Sequence, residues 1–374
     1  MNLKFFITIC LSATFFLLNA QDIQFKNFRG RLILGTEKAR TASLGLGDID
    51  GDGDTDIIVA NGRHWPQHNQ VFFNNGMGKF TVAQPLHNQR ETSYATELAD
   101  FDKDGDLDVA VGNDQAPNTI LWNDGKGNFT FGGTFGKLYA PTRNLTLADI
   151  DQDDDIDILI TNRGSENEIC LNDGAGKFTE TIGFGTKEDA TIDVEVADIN
   201  GDKHLDLILA NRNKGQNYIY LHDGNLTFSK KIPFGTGSDE TRSIAIADVN
   251  ADGYLDIICA NIGEPNNLYL GGTQLDFQEV IQYDTTQNRS YSLTTSDLDL
   301  DGDMDIIVGN VRASNTVFFN EKNGRTWKKK ILSPHSFSTY DILVQDINGD
   351  QRPDILEANS DEWNVYYFNV LERE

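Results

Sequence analysis

The chain has 374 residues, with 58 acidic against 31 basic side chains and a formal net charge of −27. A field of that sign repels phosphate, which excludes nucleic acid as a partner, and three cysteines are too few for a disulfide scaffold. Short runs of Ile, Val, Leu and Phe along the whole length exclude an acidic disordered chain.

In chain order, residues 1–20 read as a signal peptide. Lys4 precedes an apolar run from Phe5 to Leu18, and Asn19-Ala20-Gln21 offers a small residue before a cut. Its removal and a secreted, periplasmic or extracellular location are expected. Cys10 lies inside that run without small residues before it, so lipid attachment is not expected. No later stretch reaches the ~18 apolar residues of a membrane span. Residues 21–374 are expected to form a single domain.

That domain is repetitive. The pattern Asp-x-Asp/Asn-x-Asp-x-x-x-Asp begins at Asp48, Asp100, Asp149, Asp198, Asp248, Asp297 and Asp346, at spacings of 52, 49, 49, 50, 49 and 49 residues. An alternating stretch such as Ala190 to Ala197 leads into each anchor, and an apolar run such as Ile57 to Ala60 leaves it. A third run, such as Ile120 to Trp122, precedes Asn-Asp-Gly-Lys-Gly, and a fourth follows Phe129. Four short β-runs per unit, separated by Gly, Asn and Asp turns, predict one propeller blade each. No stretch has helical periodicity. The expected fold is all-β, a seven-bladed β-propeller of four-stranded blades.

The last repeat stops at its third run, Val365 to Phe368. At the other end Phe28 stands 20 residues before Asp48, as Phe80, Phe129, Phe178, Phe228 and Phe277 stand before their own anchors, and Trp327 stands 19 before its own. Residues 23–34 are therefore expected to supply the missing fourth strand of blade seven and close the ring, removing exposed edges. Cys170 and Cys259 sit in apolar runs of different repeats and read as buried thiols.

The anchors themselves carry chemistry. Ca2+ takes six to eight hard oxygens at about 2.3–2.6 Å, and side chains at loop positions 1, 3, 5 and 9 with a backbone carbonyl at 7 can supply them. The sets are Asp48, Asp50, Asp52 and Asp56 with the carbonyl of Asp54; Asp100, Asp102, Asp104 and Asp108 with that of Asp106; and Asp149, Asp151, Asp153 and Asp157 with that of Asp155. Next come Asp198, Asn200, Asp202 and Asp206 with His204, then Asp248, Asn250, Asp252 and Asp256 with Tyr254. The last two are Asp297, Asp299, Asp301 and Asp305 with Asp303, and Asp346, Asn348, Asp350 and Asp354 with Arg352. Position 7 varies freely, as a carbonyl ligand predicts. The 25 carboxylates of these sets account for nearly the whole net charge, since without them −2 remains. Up to seven Ca2+ ions are expected. An EF-hand is excluded, because position 12 of the first loop is Val59 in an apolar run rather than a bidentate Glu. Asp154, Lys203 and Gln351 replace glycine at position 6, so loops 3, 4 and 7 are expected to bind more weakly.

With these loops and the strand run after them, the chain resembles the FG-GAP/VCBS repeat family, the calcium-loop propellers that include the integrin α-subunit head. The resemblance covers essentially all of residues 21–374. It implies calcium between the first and second strands of a blade and ligand binding on the opposite face. The chain departs from integrin heads in carrying full ligand sets in all seven repeats. The family spans adhesion, lectin-like binding and polysaccharide lyases, so the resemblance leaves the activity open.

Function is therefore sought on the opposite face. Asparagines that bracket each loop there (Asn61 and Asn69, for example) and a Ser or Thr seven residues before each anchor (Thr41, Ser93, Thr142 and their equivalents) repeat, and read as structural. The residues beside them do not repeat. Arg63, His64, Trp65, Tyr94, Arg143, Arg163, Arg212, Arg242, Tyr291, Arg312, Tyr340 and Trp363 are the ligand-binding candidates. Arginine forks suit carboxylates and sulfates, and Trp or Tyr faces suit sugar rings. The expectation is a binding or adhesion module for an extracellular glycan or protein, acting as a monomer. The alternative is a polysaccharide lyase on uronic-acid polymers, with Tyr94, His64, His68, Arg63 and Arg143 as the group that moves a proton α to an arginine-neutralised carboxyl group.

Overall fold

The computed structural model describes residues 23–371; the expected signal peptide lies outside them. Every regular element among the described residues is a β-strand, and no helix is long and apolar enough to cross a membrane. Five separate four-stranded antiparallel sheets follow the repeats anchored at Asp100, Asp149, Asp198, Asp248 and Asp297. The first and last repeats merge into a seven-stranded sheet with the N-terminal strand. This all-β array of repeated four-stranded sheets is consistent with a propeller.

Within each repeat the inner strand runs into the aspartate loop, and the second strand leaves it. The second strands, Asp56–Asn61 in the first repeat and Asp108–Asn113 in the next, are buried at every residue. That explains the continuous apolar run: alternate side chains serve different neighbours. Ile57 and Val59 pack with Leu356 and Ala358 of the last repeat, whereas Ile58 packs with Val109 and Val111 of the second. Seven such apolar clusters join each repeat to the next, including the last to the first. Each fully buried Ile, Leu or Val contributes about 1.5–3 kcal/mol. Inner strands likewise touch in sequence, and Thr339–Gln345 touches Ile33–Gly47. Cys170 and Cys259 are free, buried thiols within this core.

The N-terminal segment differs from the expected single strand. Ile23–Lys26 pairs with Leu371 to Phe368, and Ile33 and Leu34 pair with Val365 and Asn364. Between them the chain makes an excursion in which Phe28, Arg29 and Gly30 all have left-handed backbone, at φ of 49°, 65° and 78°.

Two side-chain devices knit the repeats. In six of the seven repeats the Ser or Thr that opens the inner strand donates to the Asn that ends the second strand, as Thr41 to Asn61 at 2.8 Å and Thr339 to Asn359 at 2.7 Å; in the fifth the Asn261 side-chain oxygen has no partner. In five repeats the hydroxyl at this position accepts from an Asn of the preceding repeat, as in Asn364 to Thr41 and Asn315 to Thr339. At the loop end, an Asn after the third strand donates to a carbonyl of the preceding repeat's aspartate loop. Asn123 reaches Ile49, Asn172 reaches Phe101, Asn320 reaches Val249, Asn369 reaches Leu298 and Asn74 reaches Ile347, all at 2.8–2.9 Å.

Candidate functional site

The aspartate loops are built from their first residue. Asp48 accepts backbone N–H bonds from Gly51, Asp52 and Gly53 at 2.9–3.1 Å. Asp100, Asp149, Asp198, Asp248, Asp297 and Asp346 accept from their own loops in the same way. Position 5 accepts the N–H of position 7 throughout, from Asp54 to Asp52 and on to Arg352 to Asp350. Residue 7 thus enters the turn through its backbone, which is why Asp, His204, Tyr254 and Arg352 are interchangeable there. Positions 4 and 6 are both left-handed in every loop; loop 3 meets this without glycine, with Gln152 at φ 63° and Asp154 at φ 70°.

Position 9 opens the second strand and is buried. Asp56 accepts from the N–H groups of Ile49 and Asn74, and its equivalents do the same. Burial lifts the carboxyls of Asp56, Asp206 and Asp256 to about 6 and those of Asp108, Asp157, Asp305 and Asp354 to about 7, against the pull of those hydrogen bonds. In four loops one oxygen from each of positions 1, 3 and 9 lies within 4.8 Å of the others: Asp48, Asp50 and Asp56; Asp100, Asp102 and Asp108; Asp149, Asp151 and Asp157; Asp297, Asp299 and Asp305. Asp50, Asp151 and Asp299 each keep one buried oxygen with no hydrogen-bond partner. Converging carboxylates with an orphaned oxygen can hold a metal ion, and the all-oxygen donor set fits a hard divalent cation. In the remaining loops the position-3 amides of Asn200, Asn250 and Asn348 hydrogen-bond within the loop.

At the opposite end the inner strands enclose a cavity of about 610 Å³, lined by residues from all seven repeats. Each inner strand carries a β-bulge immediately after its Ser or Thr, as in the shift between Thr142 and Asn144. A bulge re-aims the extra residue. The extra residues include Tyr94, Arg143, Arg242, Tyr291 and Tyr340, and all five line the mouth of the cavity. Five candidates assigned to loops by sequence are thus strand residues gathered into one ring.

Neighbouring loops add to it. The Arg63 guanidinium lies 3.8 Å from the Tyr340 ring centroid, and Arg143 lies 4.3 Å from that of Tyr94. His64 connects to Asp114 through Nδ1 at 2.9 Å and to the Tyr94 hydroxyl through Nε2 at 2.9 Å, and Arg143 donates to the other Asp114 oxygen at 2.7 Å. Asp114 thereby orients His64 so that Nε2 accepts the Tyr94 proton. Burial raises the Tyr94 hydroxyl above its ordinary range, while Arg143, Arg63 and Arg242 pull it down. Arg63 donates to Ser360 at 2.8 Å, but its Nε is buried without a partner. Arg242 lines the cavity and makes no hydrogen bond or ion pair among the described residues.

Below the ring the lining turns acidic. Asp193 accepts from Asn144 at 2.5 Å and from the Ile244 N–H, and Asp341 accepts from Ser292 and the Leu44 N–H. Glu97, raised to about 8 by burial and by Asp341 and Asp193, and Glu195, also raised by burial, lie deeper.

Other candidates stand apart. Trp65 is 65% exposed, with the Arg40 guanidinium 5.7 Å from its ring. Arg163 and Arg312 are exposed, and Arg212 sits 3.8 Å from Glu240. The His68 carbonyl accepts from Asn61, and its Nδ1 is buried without a partner. Trp363 packs against the cluster joining the last two repeats and lines a separate cavity. Asp114, Asp341, Glu97 and Glu195 were not candidates. Asp193 is buried on an inner strand. The repeated Ser or Thr was the available signal, since the residue after it is always the bulge.

Six overlapping segments, 48–111, 100–160, 149–209, 198–259, 248–308 and 297–357, match the FG-GAP-like repeat. No curated protein sequence matches the chain. Among solved structures it is similar to BBS1N in complex with ARL6DN, at 12% identity over 90% of this chain and 94% of that one, with a TM-score of 0.62. It is also similar to an Agrocybe aegerita lectin that recognises non-reducing terminal N-acetylglucosamine, at 20% identity over 87% of each chain and a TM-score of 0.58. Chaetomium thermophilum Raptor matches at 12% identity over 94% of this chain and 29% of its own, with a TM-score of 0.61. At these identities the likeness is one of fold. The repeats that span residues 48–357, and the four-stranded sheets they form, place the chain in the FG-GAP-like repeat family.

Proposed function

We propose that this protein is a secreted, monomeric, seven-bladed β-propeller that binds Ca2+ in its aspartate loops and an extracellular anionic glycan or protein at the arginine-lined mouth. The seven cyclic core clusters and the pairing of residues 23–34 with Asn364 to Leu371 support a closed ring of seven blades. Calcium is supported by the convergent carboxylates and their orphaned oxygens. Secretion rests on residues 1–20 alone.

The observation that carries the ligand reading is Arg242. A guanidinium has five donors, and that of Arg242 is half-buried, 5.6 Å from the Tyr291 ring centroid, with no hydrogen-bond partner among the described residues. Here it faces a cavity beside Arg63, Arg143 and three tyrosines, so an incoming carboxylate or sulfate supplies the missing partner. Titration with polygalacturonate, and with neutral dextran as control, tests this. Polygalacturonate is expected to bind and dextran not, with Arg242→Gln weakening binding about tenfold or more, the loss of one charge-assisted contact. Equal binding of both polymers, or an unaffected variant, sinks the reading.

A second reading is favoured by the Asp114–His64–Tyr94 chain. In a lyase, Tyr94 or His64 takes the C5 proton of a uronate whose carboxylate is neutralised by Arg63 and Arg242. The C4–O bond then breaks with its electron pair going to oxygen, leaving a C4=C5 double bond, and the departing oxygen takes a proton back from the same side chain or from water. Unsaturated uronate is followed in the ultraviolet. Binding without any absorbing product across polyuronates discards this reading and leaves the first.

A further inference from the structure

A second cavity, of about 470 Å³, lies between the last two repeats, away from the mouth and the aspartate loops. Its walls include Phe25, Phe337, Trp363 and Tyr367, and Arg29 and His335 also line it. The volume suits a small molecule, as does an apolar lining with few polar groups. His335 and Phe337 stack in parallel at 4.9 Å, which extends the flat aromatic surface.

The backbone supports a purpose for this cavity. The excursion that interrupts the N-terminal strand places Arg29 and Gly30 on its wall. Phe28 and Arg29 are both left-handed without being glycine, which costs roughly 1–2 kcal/mol for each residue. An uninterrupted strand would avoid that cost, and such strain gathers at functional sites.

Charge identifies the occupant. The stretch from residue 23 to residue 36 carries Lys26, Arg29 and Arg31 and no carboxylate, in a chain of net charge −27. Among the described residues Arg29 has no ion-pair or hydrogen-bond partner, and neither has the Trp363 indole N–H. A largely apolar cavity with stacked aromatic rings in its wall and an exposed guanidinium at its side matches a ring that carries a carboxylate. We infer that this cavity is a binding site for a small aromatic carboxylate, with the ring between Trp363 and Phe337 and the carboxylate on Arg29.

The probes are cinnamate and its neutral analogue cinnamamide, titrated against the full chain with calcium present, by calorimetry and ligand-observed NMR. Cinnamate is expected to bind saturably and at least about fivefold more tightly than cinnamamide. Arg29→Gln should reduce cinnamate affinity about tenfold and abolish the preference, while its urea midpoint stays at the wild-type value because Arg29 is exposed. Trp363→Leu should weaken both probes. Arg242→Gln should leave cinnamate binding unchanged, which separates this site from the mouth. The proposal is overturned by no binding of either probe, by equal affinity for both, by an Arg29→Gln chain that binds as wild type, or by loss of binding in Arg242→Gln instead.

Discussion

Glu357, on the second strand of the last repeat, is 1% exposed, and one of its oxygens has no partner. Burial lifts its carboxyl to about 7, while Asn315, Asn359 and Tyr367 hold it down. The folded protein therefore keeps a proton that the unfolded chain releases near pH 4.5, so this group costs stability as pH rises from there to about 7. Glu357→Gln keeps the shape and removes the charge. It should nearly match wild type at pH 4.5 and exceed it at pH 8 by about 3 kcal/mol, from ~1.4 kcal/mol for each pKa unit between 4.5 and about 7. Urea titrations at both pH values check this; equal midpoints at pH 8 contradict it. Asp154 offers a second test, since its left-handed backbone strains an L side chain. Asp154→Gly should raise the metal-free thermal stability by about 1 kcal/mol.

At the scale of the element, the repeats differ most in the Asn that follows the third strand. Asn123 donates to Ile49 and Leu107 and accepts from Gly127. Asn123→Ala leaves those buried groups unpaired and should cost about 2–3 kcal/mol, measured by denaturant titration. Repeats four and five lack the device. His222 accepts from Leu226, and its Nδ1 is buried unpartnered. Gly271 cannot be replaced by Asn, because an added Cβ would lie 2.1 Å from the Leu255 carbonyl oxygen. Both seams flanking repeat four thus lack the inter-repeat bond. Native-state hydrogen exchange should find Asp206–Asn211 opening before Asp108–Asn113 and Asp305–Asn310; uniform protection would contradict this.

For the whole molecule, the loops set the response to metal and pH together. Burial raises the position-9 carboxyls to about 6–7, and position 3 is raised in Asp50, Asp102, Asp151 and Asp299. In chelator the folded chain holds protons there that the unfolded chain has lost, so stability falls as pH rises from about 4 to about 7. A divalent cation competes with those protons. The thermal midpoint should therefore rise strongly on adding Ca2+ at pH 7.5 and much less at pH 5. An equal response at both, or none, argues against metal as a structural element.

Sequence alone determined what depends on neighbours in the chain. The strand runs, the aspartate turns with residue 7 acting through its backbone, and the Ser, Thr and Asn spacers all repeat at near-constant spacing, because each repeat must present the same ladder and the same turn. Buried second strands were legible for the same reason, as continuous apolar runs with both faces covered. Only the tertiary structure decided what depends on residues far apart. The bulge that turns Tyr94, Arg143 and Arg242 inward is a mismatch between two strands, invisible in either one. Asp114 becomes part of the mouth because His64, 50 residues away, meets it. Trp363 leaves the candidate mouth for a cavity shaped by the N-terminal excursion, a pairing across more than 300 residues. Local periodicity encodes the blade; the contents of the central mouth arise where seven non-repeating positions converge.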